Sequence, residues 1–320
     1  MKTILVIGAS GQIGTELVAA LRRKYGSGKI IAADLKSNSN TFSEGPFLPL
    51  DVLDKETLGV QVIKYNVGTI YLLAAMLSAS GEQNPHKAWH LNMQSLLNVL
   101  EVARECKIEK VFWPSSIAVF GPDAPKENCP QHFKLSPTTV YGISKSAGED
   151  WCKYYFIKYK VDVRSLRYPG LISHQTLPGG GTTDYAVAIF HAAMRHRFYQ
   201  CYLKEDTLLP MMHMEDAVRA TMELMEAPAE NITIRSSYNI ASISFTPKEI
   251  AAEISKHLEG FEISHVPDFR QSIAESWPGS IDDSDASFDW GWEPHYNLKR
   301  TVSVMLENLK HLRPVNTSIY

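Results

Sequence analysis

A doubly wound parallel α/β sheet with a smaller C-terminal α/β substrate lobe is the fold this sequence predicts, on three observations. A β-branched run, Lys2–Ile7, feeds directly into the pattern Gly8-x-x-Gly11-x-x-Gly14 and then into a helical pattern from Thr15 to Arg23. A second run, Ile30–Ala33, closes on an acid, Asp34. Strand-sized and helix-sized patterns then alternate through the first half of the chain, which calls for a parallel sheet covered on both faces.

Taken in order, the first run is of the kind buried in a parallel sheet. The turn Gly8-Ala9-Ser10-Gly11-Gln12-Ile13-Gly14 lacks the Cβ atoms that would bar a pyrophosphate, and the helix behind it aims free N–H groups at that anion. Asp34 stands twenty residues past Gly14, where a carboxylate accepts from ribose hydroxyls and repels a 2′-phosphate. NAD is therefore favoured over NADP, with Lys36 close behind as a counterweight. Leu48–Val52 reads as a third strand, with Asp51 and Val52 at its end, where an adenine amine is held. Val67–Ala75 reads as a fourth, and the small residues of Leu73-Ala74-Ala75 admit the cofactor backbone. A loop over Met76–Pro85 carries Ser78, Ser80 and Glu82; an amphipathic helix His86–Cys106 carries Asn92; Lys110–Trp113 is a fifth strand.

That strand ends at Pro114-Ser115-Ser116, on the carboxyl edge where ligands of open α/β sheets bind, so Ser116 is placed to hold a substrate oxygen. A loop over Pro122–Pro137 leads into a helix running from Tyr141 to Lys160. Tyr141 and Lys145, four residues apart, share one face of it. A free phenol titrates near pH ~10 and is a poor base at neutrality, but a neighbouring ammonium favours the phenolate. Such a pair takes the proton of an alcohol while a hydride leaves. A sixth strand, Val161–Leu166, runs into Arg167-Tyr168-Pro169-Gly170. Gly179-Gly180-Gly181 then offers backbone N–H groups, with Thr182 or Thr183 placed to cap the helix Tyr185–Arg197. That arrangement suits a small carboxylate, with a flexible linker and an ordinary cap as the other reading. His213, just before a helix Glu215–Glu226, reads as structural. A strand Tyr238–Ala241, a helix opening at Thr246-Pro247 and a small cap from Phe261 follow, with Trp277 either a pocket wall or core. Pro314–Tyr320 is expected to fray.

Composition narrows the function classes. Of 320 residues 44% are hydrophobic and 21% charged, the proportions of an ordinary globular protein. A net charge of -3, from 32 basic and 35 acidic side chains without a basic tract, gives no electrostatic support for a nucleic-acid or membrane-surface role. Cys106, Cys129, Cys152 and Cys201 form no C-x-x-C pair, which argues against a zinc site or disulfide frame and fits a reducing compartment. With a strand starting at Thr3 there is no room for a targeting segment, so a cytoplasmic protein is expected.

Gly8-x-x-Gly11-x-x-Gly14, Asp34, Leu73-Ala74-Ala75, Ser116 and Tyr141-x-x-x-Lys145 together resemble the extended short-chain dehydrogenase/reductases, a Rossmann-type family. The likeness spans nearly the whole chain, since Phe288-Asp289-Trp290-Gly291-Trp292-Glu293-Pro294 is similar to that family's C-terminal "LGW-x-P" segment. Tyr168-Pro-Gly-Leu-Ile-Ser173, Leu177-Pro-Gly-Gly-Gly-Thr-Thr-Asp-Tyr-Ala186 and Leu77-Ser-Ala-Ser-Gly-Glu82 resemble one branch of it, the short-chain L-threonine 3-dehydrogenases.

The resemblance implies NAD held by Gly8, Ser10, Gly11, Gln12, Ile13, Gly14, Asp34, Asp51, Val52, Leu73, Ala74, Ala75, Asn92, Tyr141, Lys145, Tyr168, Gly170 and Leu171. It implies L-threonine held by Ser78, Ser116, Tyr141, Gly180, Thr182 and Trp277, no metal, and oxidation of the β-hydroxyl to 2-amino-3-oxobutyrate. Tyr141 would be the base, Lys145 its partner and Ser116 the orienting hydroxyl. A homodimer formed through His86–Cys106 and the Tyr141 helix is expected, as is hand-off of the labile product to a 2-amino-3-oxobutyrate CoA ligase. The expected domains are 1–170 with 210–242 for NAD, and 171–209 with 243–320 for substrate. Three other readings stand beside this one, the nearest being a different NAD-linked alcohol dehydrogenase acting on a small polar substrate. A nucleotide-sugar epimerase or dehydratase needs an Arg-Asp pair that Leu208–Met212 lacks, and a non-catalytic NAD sensor has no need of Ser116, Tyr141 and Lys145.

Overall fold

The computed structural model describes residues 2–36 and 44–311, so the expected fraying of Pro314–Tyr320 lies outside the described residues. β1 (Thr3–Ile7) leads through the glycine turn to α1 (Gln12–Tyr25), then β2 (Ile30–Asp34), β3 (Phe47–Pro49), α2 (Lys55–Lys64) and β4 (Val67–Leu72). α3 (Ser78–Gln83), α4 (Pro85–Glu105), β5 (Lys110–Phe112), β6 (Ser115–Ser116) and α5 (Val140–Tyr159) follow. The six-stranded sheet has the order β3-β2-β1-β4-β5-β7, where β7 is Val163–Arg164, and every pairing in it is parallel. β1 shows why its sequence is apolar throughout. Leu5 and Ile7 pack under α2 and α4 while Ile4 and Val6 pack under α1, so the strand is buried on both sides.

The chain then adds two small three-stranded sheets. β8 (Leu166–Tyr168) lies between β6 and β12 (Tyr238–Asn239), and β11 (Leu209–His213) lies between β9 (Gly170–Ile172) and β13 (Ile243–Phe245). α6 (Tyr185–His196), β10 (Phe198–Cys201), α7 (Met214–Glu226), α8 (Pro247–Ser255), β14 (Glu262–His265), α9 (Phe269–Glu275), α10 (Ser284–Trp290) and α11 (Leu298–His311) complete the described chain. A third apolar cluster, around Tyr185, Phe190, Phe245 and Met305, forms the core beneath α6, α8 and α11.

Several boundaries differ from expectation for local reasons. β3 stops at Pro49 because its partner β2 ends at Asp34, whose carbonyl takes a last N–H from Leu50 at 3.0 Å, and Asp51 and Val52 lie beyond that pairing. β4 stops at Leu72, because Leu73 and Ala74 turn against Gly8, where an added Cβ would sit 2.6 Å from the Ala74 nitrogen. The expected Met76–Pro85 loop contains α3, closed by the Gly81 N–H donating to Leu77 O at 2.7 Å. The sixth strand is broken at Ser165: Arg164 O accepts from Trp113, while Ser165 O accepts from Tyr238 in the neighbouring sheet. Among the described residues no helix is long and apolar enough to cross a membrane.

Candidate active site

A cleft of about 630 Å³ opens at the carboxyl edge of the sheet, between the glycine turn, the β4 and β5 ends, and the residue 168–184 segment. Its first wall is the start of α1. Gly8 has φ +83°, and a Cβ on Gly14 would lie 2.3 Å from Gly8 O, so these two glycines are demanded by the turn itself. Gly11 is different: a Cβ there would meet nothing nearer than Gly8 O at 3.3 Å, and it lines the cleft. Gln12 also lines the cleft, with a buried Nε2 donor that has no protein partner. Open backbone and an orphaned donor at a helix N-terminus fit a diphosphate. Asp34 is fixed by Ser10 N–H on Oδ2 at 2.9 Å and Leu35 N–H on Oδ1 at 2.8 Å, and each oxygen keeps a lone pair for a ribose hydroxyl.

The centre of the cleft is built by α5 docking onto the β6 end. Thr139 caps α5 by accepting the Gly142 N–H at 3.0 Å. A Cβ on Gly142 would fall 2.1 Å from Ala118 O, so only glycine lets the helix start press against residues 117–119, and that contact brings Tyr141 to Ser116. Ser116 Oγ also accepts the Ala118 N–H at 3.2 Å. Lys145 is buried; its Nζ donates to Pro114 O at 2.6 Å and sits 4.4 Å from the Trp113 ring centroid and 5.6 Å from that of Tyr141. Burial pushes the Tyr141 phenol up to about 12, with the Ser116 hydrogen bond acting the other way. Burial pushes Lys145 down to about 7, opposed by Cys152 and Glu149. In the protein alone burial thus shifts both groups toward their uncharged forms, and desolvation outweighs the ammonium effect expected from the spacing.

The third wall carries the polar groups for a small substrate. Ser78 and Thr182 are buried in the cleft and share a hydrogen bond between hydroxyls at 3.0 Å, and Ser78 Oγ also accepts the Thr182 N–H. Gly180 has φ +92°, its N–H and that of Gly181 both donate to Asp184 Oδ2 at 2.8 Å, and its carbonyl accepts from Ser80. The glycine N–H groups read as free in the sequence are thus taken by Asp184, which stands at the N-cap of α6 in place of the expected threonine. Asp184 lines the cleft, and burial raises its pKa against the lowering by the glycine N–H groups. Sequence reasoning missed it, although an acid between a glycine run and a helix is a recognisable signal. Trp277 is both things considered for it, being 5% exposed in the apolar core and a lining residue of the cleft.

Of the residues assigned to the cofactor, Gly8, Ser10, Gly11, Gln12, Ile13, Gly14, Leu73, Ala75, Tyr141, Lys145, Tyr168, Gly170 and Leu171 line the cleft together. Asp34, Asp51, Val52, Ala74 and Asn92 stand outside its lining. Asp51 accepts the Leu53 N–H at 2.9 Å, and Asn92 clasps both the N–H and the C=O of Met76, at 2.8 and 3.1 Å. His213 accepts the Glu215 N–H at the start of α7 and stacks on Tyr296 at 4.0 Å, a structural placement. Beneath the cleft lies a buried ion pair that no local sequence pattern announces. Arg167 donates to both oxygens of Glu149 at 2.9 and 2.7 Å, and to Gln131 O and Asn239 Oδ1, while Ser115 Oγ donates to Glu149 at 2.6 Å.

A parallel sheet, a glycine turn into α1 and a Ser-Tyr-Lys centre define a nucleotide-dependent oxidoreductase-type scaffold. The chain belongs to the NAD dependent epimerase/dehydratase family, whose model matches residues 4–241. Within that family it is similar to L-threonine dehydrogenases. The solved holo form of the GalE-like enzyme of Cupriavidus necator is 55% identical, over 96% of this chain and 99% of that one, with a TM-score of 0.94. A monomeric L-threonine 3-dehydrogenase from a metagenome is 49% identical, over 96% and 99%, with a TM-score of 0.93. The mitochondrial L-threonine 3-dehydrogenase of Bos taurus is 43% identical over 305 residues, 95% of this chain and 81% of the relative.

Proposed function

We propose that the protein is an NAD-dependent L-threonine 3-dehydrogenase, oxidising the β-hydroxyl to 2-amino-3-oxobutyrate. The observation that carries this reading is the meeting, in one cleft, of Ser116, Tyr141 and Lys145 with Ser78, Thr182 and Asp184. Bound NAD+ supplies the hydride acceptor and a nearby positive charge. Ser116 holds the β-hydroxyl oxygen, and Tyr141 removes its proton as the Cβ–H bond yields its electron pair as hydride and the ketone forms. Lys145 stabilises the resulting phenolate. Asp184 faces the substrate ammonium, whose charge offsets the burial of this carboxylate, and the Ser78 and Thr182 hydroxyls take the carboxylate end. Asp34 holds the adenosine ribose, and Asn92, which fixes Met76, shapes the cleft from behind. Leu208–Met212 supports the same choice over a nucleotide-sugar enzyme: the stretch holds no Arg-Asp pair, and Leu209, Met211 and Met212 are buried apolar residues of β11.

The same reading assigns 1–170 with 210–242 to NAD and 171–209 with 243–320 to substrate. It places the protein in the cytoplasm, in keeping with four free thiols. Half-exposed Trp89 on α4 and Trp151, Tyr154 and Ile157 on α5 support a homodimer through that helix pair. The labile β-keto acid product calls for a following 2-amino-3-oxobutyrate CoA ligase. Purified protein with NAD+ should form NADH on L-threonine, and far less on D-threonine, L-allo-threonine, L-serine or UDP-glucose, or with NADP+. Binding of the UDP-sugar without turnover of any amino acid would replace this reading with the epimerase.

A further inference from the structure

Glu16 lies on α1, one turn behind the glycine turn, and is only 7% exposed. Its Oε1 accepts from the hydroxyl of Ser173, which is fully buried and in turn accepts the Gln175 N–H at 3.1 Å. The bond joins residues 157 apart in sequence. Ser173 directly follows β9, and between Thr176 and Asp184 every residue except Pro178 and Gly180 lines the cleft. A carboxyl this deeply buried destabilises the fold when ionised, and an apolar side chain would pack there at lower cost. What Glu16 provides instead is a direct link from the helix that receives the cofactor anion to the base of the segment that surrounds the substrate.

We propose that the buried Glu16–Ser173 hydrogen bond couples the cofactor helix to the substrate segment 175–184, so that both are positioning residues for substrate binding. Anchoring an anion at the α1 N-terminus fixes Glu16, and Glu16 fixes Ser173 and the chain beyond it. A cavity of about 550 Å³ flanks Glu16 and brings other charges to it: Arg23 and Lys24 from α1, His174 beside Ser173, and Glu215, Arg219, Glu223 and Glu226 from α7. Lys24 is paired with Glu226, Arg219 with Asp216 and Glu223, and Glu215 accepts from Tyr296. Arg23 and Glu215 therefore act on Glu16 in opposite senses, and burial leaves it titrating at about 7. Below that pH the protonated carboxyl is a weaker acceptor for Ser173, so substrate affinity falls as pH falls.

The test is amide exchange across 176–184 with and without NAD+, read beside threonine kinetics. In the natural protein NAD+ should slow exchange there by about tenfold, within the ~5–150-fold range usual for coupled sites. In Ser173→Ala the slowing should shrink to less than about twofold, with KM for threonine up about tenfold and kcat little changed. Glu16→Gln keeps an acceptor, so it should retain the coupling at pH 8 while losing the rise in KM between pH 8 and 6. Should Ser173→Ala fail to fold, Glu16→Leu, which removes the acceptor at similar volume, takes its place with the same expected losses. NAD+-dependent slowing unchanged in the variant overturns the proposal. The exchange arm contains no threonine; although the kinetic arm rests on the proposed activity, absence of turnover in the natural protein would count against that activity alone.

Discussion

Tyr141→Phe should lower kcat for threonine oxidation by about 10³-fold, in the range expected when a positioned general base is removed. The phenyl ring keeps the packing of Tyr141 against the 117–120 region and leaves the Gly142–Ala118 contact in place, so the fold and NAD+ binding should change little. Thermal unfolding and NAD+ titration of the variant separate lost chemistry from lost structure. A variant within tenfold of the natural rate would remove Tyr141 from the role of base. The same chemistry sets a pH dependence. Burial holds the phenol near 12 in the protein alone, so the deprotonated base is scarce at neutrality. With saturating NAD+, kcat/KM should therefore rise with pH through the neutral range, by up to about tenfold per pH unit until the base in the complex titrates. A flat profile would show that proton removal by Tyr141 does not limit the reaction.

Glu149→Ala should cost about 3–5 kcal/mol of stability, because it leaves the Arg167 guanidinium buried and without its carboxylate. Arg167 keeps only Gln131 O and Asn239 Oδ1, two neutral acceptors, and Ser115 loses its acceptor as well. Tm should fall by roughly 5–10 °C. The effect reaches the chemistry, since Ser115 precedes Ser116 and Glu149 lies one helical turn beyond Lys145. Replacing both charges with apolar residues of similar volume should restore much of the stability. A Tm unchanged in Glu149→Ala would mean that the pair contributes nothing to holding α5 against β6 and β8.

The Tyr141 centre and the Glu149–Arg167 pair differ in how far the chain announces them. Gly8-x-x-Gly11-x-x-Gly14, Asp34 and Tyr141-x-x-x-Lys145 are local patterns, each doing its work within one turn or one helix face, and the structure brings the glycines, Tyr141 and Lys145 to one cleft. The Glu149–Arg167 pair is invisible at that level, because it joins α5 to β8 and its further partners, Gln131 and Asn239, come from two more segments. Asp184 hid for another reason. Glycine N–H groups look free in a sequence, and only the fold shows that a nearby carboxylate has taken them. The Tyr141–Lys145 pair was legible in position but not in charge state: spacing suggests attraction between ammonium and phenolate, whereas burial of both groups dominates. Strand ends depart from the apolar pattern where the partner strand runs out, as at Pro49 opposite Asp34, or where a close glycine contact turns the chain, as at Leu72.

At the centre of the proposed reaction, hydride leaves Cβ of threonine for the nicotinamide. Turnover of L-threonine carrying deuterium at C3, followed by mass analysis of the reduced cofactor, tests it most directly. One deuterium per NADH, with no label released to solvent, is the predicted result. Reduced cofactor without deuterium, or deuterium appearing in water, would contradict it.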